Sequence, residues 1–481
     1  MTPRLAFFRN IAPNSDLPML RFFRLNDPYR LLFVFLIIIT LGIKAEVEFP
    51  ALTLPELKGI LVGEMLAEGK RMYSEVWDSM PPVTAYLQQL LDFAFGRATM
   101  PRHIISWVLI FFQAAFFGVT LISNRAFNES NYLPSLLFAV LAFFSFDAVT
   151  LTREMIGTTL LLFAMNNLLK EVEFKRQHDE TIHNLGLYLG LASLSVFSYT
   201  IFFIGTALLL FAFTRVEPRR FLLFLFGFLF PHLLLATWYF WLGDLNFLWT
   251  NFYAANLEWN TMALVSMKSL FMLAALPLTY FIFALIMLRR DAHLTKYQSQ
   301  ILQIMFLWLI FGLIEIFFSR QRTPQALLVC VPPVAYFINH YVLLINRKWI
   351  AETMLWVFVI GILAMSSIAV RKKFALVDYS KLFLQPASEA TINKKVMVLD
   401  GDLSLLMNNQ PAGIFLEWKL AEPIFNEPYY YQHVSAVAEA LQKDAPDLIF
   451  DPHNKLEGFW PFVPDIRKKY QHTDNVWKRR E

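Results

Sequence analysis

The stretch "LPELKGILVGEMLAEGKRMYSEVWDSMPPVTAYLQQLLDFAFG", Leu54–Gly96, follows the first strongly apolar segment of the chain. Its first half repeats apolar residues at helical spacing, and Glu56 shares another face with small residues. Its second half carries an apolar stripe that runs from Val83 to Ala94. The sequence therefore predicts two amphipathic helices, joined by an acidic, aromatic turn that contains two prolines.

The ends of these two helices are marked by residues with turn chemistry. Gly69 suits the C-terminus of the first helix, and Gly96 closes the second. Pro81 is expected in the first turn of the second helix, because its missing N–H has no partner there. Asp78 or Ser79 is expected to cap that helix with its side-chain oxygen.

The composition of the whole chain predicts an α-helical polytopic membrane protein. Hydrophobic residues make up 57% of the 481 and charged residues only 17%, whereas soluble domains carry about 25% charged residues. A bilayer core about 30 Å thick takes roughly 20 apolar residues per helix. The eleven predicted spans are residues 29–44, 103–122, 132–149, 154–169, 185–197, 199–214, 219–241, 267–288, 301–318, 325–344 and 351–370. The long run over residues 185–214 is broken near Ser198, because one helix of that length would exceed the usual span.

Charges in the loops predict how the chain is oriented. Basic residues concentrate in alternate loops, which the positive-inside rule assigns to the cytoplasm, so the net charge of +4 does not indicate a nucleic-acid partner. Residues 1–28 are then a basic cytoplasmic lead, and residues 29–370 form the transmembrane domain with a first outer loop at 45–102. Residues 371–481 carry strand and helix patterns and are predicted to form an outer, periplasmic α/β domain.

The first outer loop also carries motifs of a known family. Glu56 opens the first helix, Gly69 and Tyr73 form a "G-x-x-x-Y" element, and "WDSMPP", Trp77–Pro82, follows. This pattern resembles the GT-C superfamily of polyprenyl-phosphate-sugar-dependent glycosyltransferases, nearest to the protein mannosyltransferases and the lipid A aminoarabinose transferase. The odd number of spans and the C-terminal domain extend the resemblance over most of the chain. One departure is clear, because the family's catalytic Asp falls at Pro55.

The resemblance implies an inverting displacement at the outer leaflet of a bacterial inner membrane. A carboxylate would take the proton of the acceptor hydroxyl, and cations would hold the leaving phosphate. Glu56 and Asp78 are the predicted catalytic residues, with Glu46 and Glu48 as alternatives. Ordinary explanations stay open for the first two, since an acid in the first helical turn and a capping acid both stabilise a helix.

Two further sets of residues are predicted to bind the donor. Arginine is suited to bidentate contact with phosphate, although an arginine at a helix end also reaches lipid headgroups. The predicted phosphate-binding residues are Arg153, Arg320 and Arg322. Aromatic side chains of the outer loops could stack on a sugar or contact a prenyl tail. The predicted substrate-binding residues are Tyr73, Trp77, Trp249 and Tyr253.

Three acidic residues fall within or beside the predicted spans, where ionisable groups are costly. They are Asp147, Glu154 and Glu315. Pairing with a nearby arginine and lining of an outward cavity explain them equally well.

The sequence predicts an integral membrane glycosyltransferase that moves a sugar from a polyprenyl phosphate to a lipid, glycan or protein acceptor. The expected partners are the lipid-linked sugar, membrane lipid and envelope proteins. No metal-ligand or nucleotide-binding motif is found, so no metal or cofactor is expected. The alternative is a catalytically inactive member of the same architecture that binds lipid or serves as the scaffold of an envelope complex. A transporter is the weaker third reading, since no inverted repeat is detected.

Overall fold

The fold is taken from a computed structural model that describes residues 19–48, 52–173, 178–214, 216–259, 262–291, 293–370, 377–384, 392–473 and 475–480. The α-helices of these residues are α1 Met19–Phe23, α2 Arg30–Glu48, α3 Leu54–Ala67, α4 Pro82–Phe95, α5 Thr99–Ser123, α6 Leu133–Ala142, α7 Arg153–Val172, α8 Asp179–Ser193, α9 Thr200–Phe213, α10 Pro218–Leu242, α11 Leu245–Leu248, α12 Ala255–Leu257, α13 Met267–Asp291, α14 Lys296–Phe318, α15 Val331–Leu344, α16 Lys348–Val370, α17 Trp418–Asn426, α18 Tyr431–Lys443 and α19 Pro464–Arg467. The strands are β1 Met262–Ala263, β2 Gln321–Arg322, β3 Lys395–Val398, β4 Gln410–Pro411, β5 Leu448–Phe450, β6 Tyr470–Thr473 and β7 Val476–Arg479. Residues 1–18 of the predicted lead, and residues 371–376 where the C-terminal domain is predicted to begin, lie outside the described residues.

Each of the eleven apolar segments predicted from the sequence coincides with a helix among the described residues, namely α2, α5 to α10 and α13 to α16. Six of the described helices are long and apolar enough to cross a membrane, and two shorter apolar helices accompany them. The chain is therefore a multi-pass membrane protein, and the number of crossings stays a prediction. The break near Ser198 is confirmed, because α8 ends at Ser193 and a short 3-10 turn, Phe197–Tyr199, precedes α9. The Ser198 hydroxyl donates a hydrogen bond of 2.6 Å to Glu315.

Contacts between loops fall into two sets, as expected if successive loops lie on opposite sides of the membrane. On the predicted inner side, Arg24 forms an ion pair of 2.8 Å with Glu129, and the Met19 N–H donates to Glu352. On the predicted outer side, β1 pairs in parallel with β2, although the two strands come from different loops. The pairing agrees with helices that cross in alternate directions. Which set faces the cytoplasm stays a prediction.

Both helices of the first outer loop form and pack closely against each other, but the amphipathic character predicted for α3 is wrong, because residues 57–63, 65 and 66 are all buried. A Cβ added at Gly63 of α3 would lie 2.5 Å from the Gln88 carbonyl oxygen of α4, so only glycine permits this approach. Gly69 and Gly96 follow the helices with positive φ angles of 90° and 57°, as turn glycines do. The predicted cap is wrong: the N-cap residue is Pro81, which has no side-chain donor or acceptor.

The C-terminal residues form a mixed five-stranded sheet in the order β4-β3-β5-β7-β6. β3 is parallel to β4 and β5, whereas β7 is antiparallel to β5 and β6. This unit packs on the first outer loop. The Trp77 N–H donates to the Ile414 carbonyl at 2.8 Å, and the Glu417 N–H donates to the Trp77 carbonyl at 2.9 Å. The contact places the C-terminal unit on the same side of the helices as α3 and α4.

Candidate functional site

A buried cluster of charged side chains joins the first outer loop to the C-terminal unit. The Lys58 ammonium lies 2.9 Å from Asp78 and 2.8 Å from Glu417. The other oxygen of Glu417 accepts from the Arg320 guanidinium at 2.7 Å, and Ser79 donates its hydroxyl to Glu417 at 2.7 Å. The two carboxylates and Arg320 are at most 3% exposed. The charges of the cluster balance, which removes most of the cost of burying them.

The cluster fixes the protonation of its members. Burial raises the pKa of Glu417, but the Lys58 ammonium and the Arg320 guanidinium outweigh it and lower that pKa to about 2. Burial alone would lower the pKa of Lys58, and the two neighbouring carboxylates raise it above the ordinary value. Burial raises the pKa of Asp78, and the Lys58 ammonium offsets only part of that effect.

Two residues predicted to act in catalysis and donor binding belong to this cluster. Asp78 is fully buried, contacts Lys58 and accepts the Met80 N–H at 2.7 Å. Arg320 has its guanidinium against Glu417 and a longer contact of 3.6 Å to Glu258. These contacts hold the first outer loop and the segment before β2 against the C-terminal unit. The catalytic role of Asp78 and the donor role of Arg320 therefore stay predictions without support from the geometry.

Glu56 lies in a separate polar group, where the end of α2 meets the beginnings of α3 and α5. Its carboxylate is 2.7 Å from Nε2 of His103, and Glu46 lies 2.7 Å from Nδ1 of the same ring. The imidazole therefore ties α2, α3 and α5 together. Glu56 and Arg320, predicted as a catalytic and a phosphate-binding residue, contact different partners.

A small polar cavity opens among the predicted outer loops, beside both groups. Its walls come from α3, from the start of α4, from the segment that leads into α7 and from β2. It is lined by Pro55, Lys58, Gly59, Ser79, Met80, Thr84, Gln88, Leu151, Thr152, Arg153, Glu154, Gln321 and Thr323. Its volume of about 40 Å³ is that of about one water molecule in the liquid.

Arg153 and Glu154 supply opposite charges to this cavity. Arg153 Nε lies 2.9 Å from Glu154, and Arg153 Nη2 donates to the Gln321 carbonyl at 3.0 Å. The Thr323 hydroxyl donates to Glu154 at 3.4 Å. Both explanations that the sequence left open for Glu154 thus hold together, since it pairs with an arginine and lines an outward cavity.

Local periodicity explains which predicted residues miss the cavity. On α3, residues three and four apart share a face, so Pro55, Lys58 and Gly59 face the cavity while Glu56 turns toward α5. Along the extended segment at β2 the side chains alternate, so residues 321 and 323 face the cavity and Arg322 faces the protein. Arg322 is 4% exposed, and this burial lowers its pKa.

The predicted substrate-binding aromatic residues divide into two groups. Tyr73 is fully buried with a φ of 70°, and its hydroxyl donates to the Met80 carbonyl, so it braces the loop and has no face open to a ligand. Trp77 packs edge-on against Phe415 of the C-terminal unit. Trp249 and Tyr253 both line a groove on the outside of α10.

This groove is large and mostly apolar. Its volume is about 750 Å³, and its walls are residues 229–240 of α10 and residues 243–253. The Tyr253 hydroxyl contacts His232 at 3.0 Å, and burial raises the Tyr253 pKa to about 12. One helical segment joins the groove to the cavity, because Asn256 donates to the carbonyl of Ser79, which lines the cavity.

Sequence reasoning missed two members of these sites for a physical reason. Lys58 and Glu417 are separated by 359 positions, and neither lies in a motif. The one available signal is that Lys58 lies three residues after Pro55, which places both residues on the same face of a helix. Among the described residues, no group of three or more histidine, cysteine or acidic side chains could hold a metal ion.

Comparison with known proteins gives fold-level similarity only. No protein-family model matches the chain, and no curated protein matches it. The structure is similar to ArnT from Cupriavidus metallidurans bound to undecaprenyl phosphate, with a TM-score of 0.49 and 13% identity over 69% of this chain. The chain spans 64% of the ArnT chain.

Two structures of an oligosaccharyltransferase from Archaeoglobus fulgidus are also similar. The apo form has a TM-score of 0.46 and 11% identity over 92% of this chain and 73% of that one. The AglB complex with an inhibitory peptide and a dolichol-phosphate has a TM-score of 0.48 and 10% identity over 94% of this chain and 74% of that one.

Proposed function

We propose that the chain is an integral membrane glycosyltransferase that moves a sugar from a polyprenyl-phosphate donor to a lipid, glycan or protein acceptor at the outer face of a bacterial inner membrane. The observation that carries the proposal is the cavity beside Pro55, because Glu154 supplies a carboxylate there and Arg153 supplies a cation. These are the groups that sugar transfer from a phosphate requires.

In this proposal Glu154 is the base in place of the acid that Pro55 cannot supply. Glu154 takes the proton of the acceptor hydroxyl while the acceptor oxygen bonds to the anomeric carbon. The bond from that carbon to the donor phosphate oxygen breaks, and its electron pair leaves with the phosphate. Arg153 stabilises that phosphate, because it lies 2.9 Å from Glu154 and lines the same cavity.

Access of the donor requires the cavity to widen, since about 40 Å³ cannot hold a sugar phosphate. Met80 lines the cavity and has a flexible, unbranched side chain, so its rotation is the least costly way to enlarge it. The apolar groove at Trp249 and Tyr253 is the proposed binding site of the prenyl chain, because it is on the predicted outer side and opens toward the membrane face of α10.

A second candidate is the catalytically inactive lipid-binding or scaffold protein. The observation that favours it is the engagement of the acids predicted for catalysis. Glu56 is bound to His103, Asp78 is bound to Lys58, and the family's catalytic acid is absent at Pro55.

Reconstituted protein separates the two candidates. Purified chain in liposomes is given polyprenyl phosphates that carry labelled sugars, together with envelope fractions as a source of acceptor. We expect transfer by the wild type and a loss of about 10²-fold or more in Glu154→Gln, the usual contribution of a general base. Glu180→Gln, an exposed acid of α8, is the matched control and keeps the wild-type rate.

Two results would overturn the transferase proposal. One is an undiminished rate in Glu154→Gln. The other is a wild type that binds the polyprenyl phosphate and transfers no sugar, which selects the scaffold.

A further inference from the structure

A second cleft lies where the first outer loop meets the C-terminal unit, away from the cavity beside Pro55. Its volume is about 540 Å³, within the range of about 300–1,000 Å³ that is usual for small-molecule sites. Its walls come from residues 71–77 of the loop, from residues 244–247 after α10, and from α17 and α18 with Ile414. Neither the cavity nor the groove shares its loop and α18 walls.

Ion pairs neutralise most of the charges of this cleft. Arg71 lies 2.7 Å from Asp244, and Lys443 lies 2.5 Å from Glu75. The second pair also ties α18 to the first outer loop. Glu439 adds one further carboxylate to the walls, so the cleft has no excess of positive charge. It is therefore unsuited to a phosphate or another anion.

The other polar groups of the cleft are uncharged or weakly basic. Asn246 and Gln432 present side-chain amides, each of which both donates and accepts hydrogen bonds. His433 lies beside them, and its Nδ1 is 2.9 Å from the Glu427 carbonyl. Groups that both donate and accept hydrogen bonds pair well with hydroxyl groups, which also do both.

Aromatic rings accompany these amides. Trp77 and Phe247 are part of the wall, with ring centroids 6.2 Å apart. Outside the wall, Tyr429, Tyr430 and Tyr431 are 85%, 61% and 85% exposed. The Tyr430 ring lies 5.4 Å from the ring of His433, which lines the cleft, so Tyr430 lies at the rim of the cleft. Three consecutive exposed tyrosines form an aromatic patch, and contiguous exposed patches of this kind often mark interaction sites.

We propose that this cleft binds a neutral oligosaccharide chain. Sugar rings have apolar faces that stack on aromatic side chains, and their hydroxyl groups pair with amides; the cleft offers both without the cations that an acidic ligand would need. The inference goes beyond the proposed function, because it assigns glycan binding to a place that contains neither Arg153 nor Glu154. It holds for an enzyme that recognises its acceptor and equally for a scaffold that holds a polysaccharide.

Equilibrium binding tests this inference independently of sugar transfer. Full-length protein in nanodiscs is titrated with maltopentaose, cellopentaose, mannopentaose and N-acetylchitopentaose, and tryptophan fluorescence reports the occupation of the cleft beside Trp77. We expect saturable binding of at least one of these probes. Gln432→Ala and Tyr430→Ala should each weaken it by about tenfold, which corresponds to the loss of one good contact.

Controls separate a lost contact from a lost fold. Phe462→Ala removes an exposed aromatic residue of the C-terminal unit that does not line the cleft, and it should bind as the wild type does. Thermal unfolding of each variant checks that the fold survives. The proposal is overturned if no neutral probe binds in the millimolar range, if only an acidic polyuronate or an unstructured peptide binds, or if the two cleft variants bind as tightly as the control.

Discussion

Lys58 holds together two residues that come from distant parts of the chain. Its ammonium contacts Asp78 and Glu417 within 3 Å, and only 10% of its side chain is exposed. Its position on α3 belongs to no motif, whereas Glu154 stands out in the sequence because ionisable groups within or beside membrane spans are rare. A partner 359 positions away is set by tertiary packing, so no local pattern could reveal it.

The first prediction concerns this lysine. Lys58→Met removes the ammonium and leaves the buried Asp78 without a cation, while Glu417 keeps only Arg320, and breaking a buried pair typically costs about 3–5 kcal/mol. We expect the free energy of unfolding in detergent to fall by about that amount. Lys468→Met is the matched control, because Lys468 and its partner Asp465 are exposed and such pairs contribute about 1 kcal/mol or less. Equal losses in the two variants would contradict the assignment.

The pH dependence of stability gives a second prediction at the same cluster. The pKa of Glu417 falls from 4.5 to about 2 on folding, so the stabilisation by this carboxylate is complete above pH 4.5 and is lost as the pH falls toward 2. Glu417→Gln lacks that loss. We expect the wild type to lose up to about 3 kcal/mol more than the variant across this window, measured by unfolding at stepped pH.

The raised pKa of Asp78 acts in the opposite direction, and the Glu417 carboxylate is one cause of that rise, so the effect is weaker in Glu417→Gln and makes the difference between the two proteins smaller. Parallel pH curves for wild type and Glu417→Gln would show that the Lys58 and Arg320 charges do not hold Glu417 ionised.

At the scale of single elements, sequence periodicity located the helices better than it located their faces. The eleven apolar segments fall on helices because hydropathy depends on composition alone. Successive residues of α3 are rotated by about 100° around the helix axis. Pro55 therefore faces the cavity, whereas Glu56, one position later, does not. β2 lies in a loop with no strand pattern, so the alternation that turns Arg322 inward was not visible.

The pair α8 and α10 supports a third prediction. A Cβ added at Gly186 would lie 2.1 Å from the Phe224 carbonyl oxygen, so the two helix backbones touch there as small residues allow in membranes. Gly186→Ala should force the helices apart and destabilise the protein by about 1–3 kcal/mol. Gly401→Ala is the matched control, because nothing lies within 4 Å of its added Cβ. An unfolding midpoint unchanged in Gly186→Ala would contradict this packing.

At the scale of the whole molecule, alternate loops meet on opposite sides of the helices. The first outer loop, β1, β2 and the C-terminal unit are joined by strand pairing and by the cluster at Glu417. The C-terminal sheet was predicted only through β3 and β5, because those strands are short apolar runs. β6 and β7 carry mostly exposed polar residues and give little strand signal.

Labelling tests the predicted orientation. The native Cys330 is buried, so an introduced cysteine is the accessible one. A membrane-impermeant maleimide added to spheroplasts should label Tyr430→Cys on the C-terminal unit and should leave Glu180→Cys at the start of α8 unlabelled until the membrane is opened. Labelling of residue 180 in intact spheroplasts, with residue 430 protected, would reverse the orientation.

The transferase proposal is tested most directly by comparing two carboxylates, Glu154, which lines the cavity, and Glu56, which does not. Single-turnover transfer from a labelled polyprenyl-phosphate sugar is measured for the wild type, Glu154→Gln and Glu56→Gln. We expect a loss of about 10²-fold or more for Glu154→Gln, because Glu154 lines the cavity, and a rate within a few-fold of wild type for Glu56→Gln, because Glu56 binds His103. The opposite order, with transfer lost at Glu56 and kept at Glu154, would contradict it.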